Sequence, residues 1–116
     1  MKAALLISHG SRSIETKKEV AKLVTILKKR SRLKIIEYAF LELENPDIPT
    51  GIDICVKKGA RDVVVLLNFL NSGRHVDQDI PRIIAQAREK YPHIVIRVTA
   101  PVGQHKKIPD LFLDLL

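Results

Sequence analysis

The chain has 116 residues and a mass of 13.1 kDa; 46% of its residues are hydrophobic, 28% are charged, and it carries one Cys, no Trp and a formal charge of +7. A chain of this mass exposes about 6,400 Å² when folded, against about 19,000 Å² when unfolded, so it buries roughly two-thirds of its surface and disulfide-dense and disordered classes are excluded. No apolar run approaches the ~20 residues of a membrane span, and the apolar start Met1–Ser8 is too short for a signal peptide. These features predict one cytoplasmic domain over residues 1–116 that meets no membrane. The lone Cys55 cannot form an internal disulfide and reads as a core residue of a reducing compartment.

Ala3–Ser8 has the length and apolarity of a strand and ends at His9-Gly10-Ser11. From Ile14 the period becomes helical, with Val20, Val24 and Leu27 on one stripe beside Leu23 and Ile26. The net positive charge concentrates here: over residues 12–34, Arg12, Lys17, Lys18, Lys22, Lys28, Lys29, Arg30, Arg32 and Lys34 outweigh Glu15 and Glu19. Such a segment is either the solvated face of a helix or an attractor for an anionic partner. Nucleic acid is excluded as that partner by the 4% aromatic content and the lack of a nucleic-acid-binding motif.

Ile35–Leu41 reads as a second strand, followed by the turn Asn45-Pro46-Asp47-Ile48-Pro49, in which Asp47 is placed to cap a helix. Ile52, Cys55 and Val56 form that helix's apolar face, and Gly59 ends it. Asp62 opens Val63-Val64-Val65-Leu66-Leu67, a strand apolar on both faces and therefore central in a parallel sheet. Asp79 or a neighbour caps the next helix, with Pro81 in its first turn and Ile80, Ile83, Ile84 and Ala87 at helical spacing. Ile94–Thr99 is the fourth strand, and Ile108–Leu116 is an apolar terminal helix that must pack on the sheet or on another chain. Four strands alternating with helices require right-handed crossovers. The predicted fold class is α/β, a doubly wound, flavodoxin-like four-stranded parallel sheet with helices on both faces.

Such sheets bind ligands beyond the carboxyl ends of their strands. That rule gathers His9 after strand one, Glu42 and Glu44 after strand two, Asn71, Arg74 and His75 after strand three, and Gln104 and His105 after strand four. His93 falls at the opposite edge. Imidazoles with carboxylates form the ligand set of a borderline divalent metal, and they also transfer protons near neutral pH. Taken singly, each residue also fits a plainer role. His9 and His75 can bond local backbone, His105 can be a surface histidine, and Glu42 a solvated carboxylate.

These residues carry a resemblance. Leu6-Ile7-Ser8-His9-Gly10-Ser11-Arg12, Phe40-Leu41-Glu42 with Pro46, Phe69-Leu70-Asn71-Ser72-Gly73-Arg74-His75-Val76-Asp77-Gln78-Asp79-Ile80-Pro81, and Pro101-Val102-Gly103-Gln104-His105 leading into Leu111-Phe112-Leu113-Asp114 together resemble the small, single-domain CbiX-type sirohydrochlorin chelatases of the class II chelatase family. Asn68 departs from the pattern, since family members often carry proline before Phe-Leu. The resemblance implies a lyase-class enzyme that inserts a divalent metal, cobalt first and nickel or iron as alternatives, into sirohydrochlorin. That step serves the biosynthesis of cobalamin and related tetrapyrroles.

The resemblance further implies His9 and His75 as metal ligands and proton acceptors, with Glu42 as the carboxylate that orients an imidazole or binds the ion. Ser11, Arg12, Asn71, Ser72, Gly73 and Arg74 become candidates for holding the polycarboxylate macrocycle, with Glu44 and His105 as further candidates. No ATP or other nucleotide is implied, and the chain has no Gly-x-x-x-x-Gly-Lys segment. A homodimer is implied as well, with Leu111-Phe112-Leu113 and Leu115-Leu116 suited to its interface. Two other classes compete. One is a non-catalytic carrier of metal or tetrapyrrole. The other is a histidine-dependent phosphatase, because a strand followed by His9-Gly10 is similar to the Arg-His-Gly start of such enzymes, although Ser8 stands in place of their arginine.

Overall fold

The computed structural model describes residues 1–116 apart from the side chain of His75. In chain order the elements are β1 (Lys2–Ser8), α1 (Ile14–Arg30), β2 (Ile35–Phe40), α2 (Ile48–Lys57), β3 (Asp62–Leu67), a π-helical turn (His75–Asp79), α3 (Ile80–Lys90), β4 (Val95–Pro101), a 3-10 turn (Val102–Gln104) and α4 (Ile108–Asp114). The strands form one parallel sheet in the order β2-β1-β3-β4. Ala3 lies level with Ile35 on one side and Val63 on the other, and Val63 with Ile96.

Strand parity separates two cores. On one face Ala3, Leu5 and Ile7 join Val63, Val65 and Leu67 against Ile48, Ile52 and Cys55 of α2 and Ile80, Ile84 and Ala87 of α3. On the other, Ala4, Leu6, Ile36 and Phe40 pack on Val20 and Val24 of α1. Every β1 residue from Ala3 to Ser8 is therefore buried, which accounts for its unbroken apolar run. The doubly wound, flavodoxin-like arrangement with helices on both faces is the one expected. Asp47 caps α2 as predicted, its carboxylate accepting from the Thr50 amide at 2.9 Å.

Asp79 holds the N-cap position of α3 as expected, but at φ −71° and ψ −46° it is already helical and its side chain makes no capping hydrogen bond, because the π-helical turn feeds straight into α3. Three expectations need correction. The second strand stops at Phe40, whose amide turns to the Pro46 carbonyl at 2.8 Å. The fourth strand runs Val95–Pro101 instead of Ile94–Thr99, since β3 holds it as far as the Leu67–Pro101 pair. The terminal helix ends at Asp114 and buries none of its residues, so in this chain it is not packed on the sheet.

The α2–α3 seam carries a polar clasp. Asp53 accepts hydrogen bonds from the Tyr91 hydroxyl and, at 3.1 Å, from Lys90 Nζ. The Tyr91 hydrogen bond, then Lys90, hold the Asp53 carboxyl below its usual range despite its partial burial. A depressed carboxylate contributes stability above its unfolded pKa and loses it as pH falls through the folded value. We expect Tyr91→Phe to cost about 1 kcal/mol at neutral pH, the scale of one intramolecular hydrogen bond. The variant should also lose less further stability than the parent between neutral pH and pH ~3, whose lower end lies below the usual carboxylate pKa. Urea titrations at both pH values check this, and equal acid losses in parent and variant would contradict it.

Candidate functional site

The carboxyl ends of β1, β2 and β3 are tied together through backbone bonds. The Leu41 amide donates to the Ser8 carbonyl at 2.9 Å, Glu42 to the His9 carbonyl at 3.0 Å, and Asn68 to the Ile7 carbonyl at 2.9 Å. Gly10 takes φ +103°, and a Cβ there would stand 1.8 Å from the Glu42 carbonyl oxygen. Only glycine lets the first loop press this closely on the second.

That approach brings His9 and Glu42, 33 residues apart, to 2.6 Å between Nε2 and Oε1. Both side chains are about half exposed, at 46% and 48%. An ionised carboxylate only accepts hydrogen bonds, so the imidazole nitrogen facing it carries a proton. A carboxylate that fixes tautomer and ring orientation is the usual support for a histidine that binds metal or takes protons. Glu44 secures the same loop from the other end, its Oε1 accepting the Ser11 amide at 2.8 Å. Its part is to hold the loop.

The other expected residues fall as follows. His75 lies in the π-helical turn after β3, at the same edge, and its side chain is outside the described residues. Ser11 Oγ accepts the Ser13 amide at 3.1 Å, while Arg12, Asn71 and Arg74 are exposed. Ser72 Oγ accepts from Gln104 Nε2 at 2.6 Å, joining the loops after β3 and β4. The Gly73 carbonyl accepts the Asp77 amide at 2.8 Å and starts the turn that carries His75. His105 caps its own turn, Nδ1 accepting the Lys107 amide at 3.0 Å. Among the described residues no group of three or more His, Cys, Asp or Glu side chains converges on one point. His93 lies at the opposite edge beside Arg61 and Tyr91, as expected. Cys55 is fully buried, and burial pushes its thiol up to about 11, which suits a core residue and not a nucleophile.

The structure adds residues that the sequence did not single out. A pocket of about 360 Å³ beside His9 is lined by Thr16 and Glu19 of α1 and by Asn68. Asn68 Nδ2 donates to the buried Ser8 Oγ at 3.0 Å, so the residue that departs from the family pattern supports the end of β1. Its departure was the one signal in the sequence. Through Leu23 and Asn68 this pocket runs on into an apolar groove of about 690 Å³ between α1, β3 and the 3-10 turn.

With this geometry in hand, the chain can be set beside known proteins. Residues 3–116 match the family model CbiX. The chain is 39% identical over 112 residues to a sirohydrochlorin cobaltochelatase of Priestia megaterium, covering 96% of this chain and 36% of that protein. It is 36% identical over 110 residues to the chloroplastic sirohydrochlorin ferrochelatase of Arabidopsis thaliana, covering 95% of this chain and 49% of that one. Among solved structures, the sirohydrochlorin chelatase SirB from Bacillus subtilis subspecies spizizenii in complex with cobalt superposes with a TM-score of 0.89 at 34% identity, over 97% of this chain and 48% of SirB. The chain thus spans half or less of the length of these relatives.

Proposed function

The chain belongs to the CbiX family, and from that membership and the His9–Glu42 pair we propose that it inserts a divalent metal ion, cobalt first, into sirohydrochlorin. In this reading residues 1–116 act as one chelatase-like domain in the cytoplasm. Among the described residues no helix is long and apolar enough to cross a membrane.

Insertion exchanges two pyrrole N–H protons for one M²⁺ ion, so the site must hold the ion loosely and take up two protons. His9, its ring oriented by Glu42, and His75, in the turn after β3, supply the two imidazoles for this exchange. Iron and nickel share the ligand preferences of cobalt, and affinity order alone does not decide among them. Arg12 and Arg74, both exposed at this edge, engage the substrate's carboxylates, with Ser11, Asn71, Ser72 and Gly73 lining their loops. No nucleotide takes part. A macrocycle is large for one edge of a 13.1 kDa chain, and a homodimer supplies the second wall.

The observation that carries the reading is the 2.6 Å His9–Glu42 contact at the ligand-binding edge of a chain matched by CbiX over residues 3–116. The test follows the absorbance of metal-free sirohydrochlorin under anaerobic conditions with Co²⁺, Fe²⁺ or Ni²⁺, without ATP, and subtracts the spontaneous rate. Turnover beyond one macrocycle per chain is expected. A spectral change that stops at stoichiometric binding would instead identify a carrier. Because a +7 chain attracts an anion through screened charges, the Kd for sirohydrochlorin should rise as salt is added. A Kd indifferent to salt would leave the basic face of α1 as solvated surface only.

A further inference from the structure

We propose that Glu19 of α1 is the entry residue for the metal substrate: its carboxylate receives the hydrated divalent ion in the pocket beside His9 and holds it until that imidazole takes it. The inference rests on the metal-inserting reading above and deepens it by naming the route of the ion.

The two substrates of that reaction make opposite demands on the charge of the chain. A formal charge of +7 draws in a polycarboxylate, but it repels a dication. The ion therefore needs a place where the local potential is negative, and within about 10 Å, the screening length at 0.1 M salt, near charges outweigh the net charge. The pocket of about 360 Å³ beside His9 is such a place. Thr16, Glu19, Val20 and Leu23 recur at helical spacing and form its α1 side. The chain has 20 Lys and Arg residues, yet among the described residues none of them lines this pocket, and Glu19 is its one carboxylate. Lys17, Lys18 and Lys22, on the same stretch of α1, are left outside it.

The neighbouring carboxylates are already engaged. Glu42 bonds His9 at 2.6 Å, Glu44 accepts the Ser11 amide at 2.8 Å, and Glu15, one turn back on α1, lies 3.6 Å from Lys18. Among the described residues the Glu19 side chain has no hydrogen-bond or ion-pair partner, and it is exposed, so it meets an incoming ion without first giving up a bond. An aqua ion of about six waters fills roughly 180 Å³, at about 30 Å³ per water, and the pocket accommodates it with its shell intact. The Thr16 hydroxyl, on the same side, is a second oxygen that can accept from that shell. Imidazole suits ions such as Fe²⁺ and Ni²⁺ better than a lone carboxylate does, and this gives the transfer its direction: Glu19 holds the ion weakly and His9 more firmly.

The test has two arms. In the first, insertion is followed with Co²⁺ varied at saturating sirohydrochlorin. Glu19→Gln should raise the KM for Co²⁺ about 10-fold, the scale of attraction between a unit charge and a dication about 5 Å apart in water, and should leave kcat within about 2-fold. Glu19→Asp keeps the charge and should restore most of the loss. Glu15→Gln removes the same charge one turn away, outside the pocket, and should change the KM by no more than about 2-fold, the scale of an exposed pair. In the second arm Co²⁺ alone is titrated into the isotope-labelled chain carrying His9→Ala and His75→Ala, with no macrocycle present. The amide NMR signals of Thr16, Glu19 and Val20 should move with the added ion, and Glu19→Gln in that background should abolish the movement. A parental KM in Glu19→Gln, an equal rise in Glu15→Gln, or Co²⁺ shifts at Thr16 that survive Glu19→Gln would overturn the proposal. A chain that inserts no metal would remove the reading above, and the Co²⁺ titration would then decide for Glu19 by itself.

Discussion

His9→Ala should slow metal insertion by at least ~100-fold, the low end for a positioned acid–base group. Its stability should stay within about 0.5 kcal/mol of the parent, because the side chain is about half exposed. The separation of rate from stability follows from the geometry. The imidazole bonds another half-exposed side chain, Glu42, and the loop is held by backbone bonds that the substitution leaves intact. Glu42→Gln should be milder, about 10-fold. An amide can donate as well as accept and no longer dictates which ring nitrogen carries the proton, and losses of 10- to 100-fold are usual for groups that orient a ligand. His75→Ala should match His9→Ala if the second imidazole serves the same exchange. His93→Ala, at the opposite edge, should leave the rate unchanged. Stopped-flow absorbance with Co²⁺, corrected for spontaneous insertion, reads all four. Parent-like rates in folded His9→Ala and His75→Ala chains would remove the catalytic assignment.

Much of the fold was legible because burial on both faces leaves a plain mark. Ala3–Ser8 and Val63–Leu67 have no polar alternation, and both are interior strands, paired on each side. Asp47 was legible as a cap because Pro49 and the apolar spacing after it fix where α2 starts. Asp79 was legible as the residue before α3 for a related reason, since it also precedes a proline at a helix start, but its side chain makes no capping bond because the hydrogen-bonded π turn upstream already holds it in helical conformation. No periodicity rule registers such a turn. The carboxyl-edge rule brought His9 and Glu42 to one place from strand order alone, and they are in contact. It did not reveal that Glu44 would engage the Ser11 amide, since that depends on Leu43 turning to φ +68°. Asn68 stands out in the sequence only as a departure from the family's proline, and its link to Ser8 depends on β1 and β3 lying side by side. For α4 the sequence left two packing choices, and the chain by itself satisfies neither.

Gly10→Ala should be a heavy substitution at the site, because two penalties coincide there. At φ +103° a side chain is strained whatever the space, and its Cβ would meet the Glu42 carbonyl oxygen at 1.8 Å. That neighbour is backbone, so no rotamer can relieve the contact. The two loops must separate, and the Glu42–His9 and Ser11–Glu44 bonds separate with them. We expect a loss of about 2–4 kcal/mol, from backbone strain of order 1–3 kcal/mol plus the broken loop contacts. Insertion should fall about 100-fold, the scale of a 1 Å misplacement of reacting groups. Two further glycines separate the causes. Gly59 has φ +106° with nothing within 4 Å, so Gly59→Ala carries strain alone and should cost about 1 kcal/mol with no loss of rate. Gly73 has open space and no left-handed backbone, and Gly73→Ala should stay within about 0.5 kcal/mol in stability. Urea midpoints at constant m, read beside the insertion rates of the Gly10 and Gly59 variants, settle the order. If Gly10→Ala loses no more stability than Gly59→Ala and inserts metal at the parent rate, then the close approach of the first two loops is not what holds His9 against Glu42.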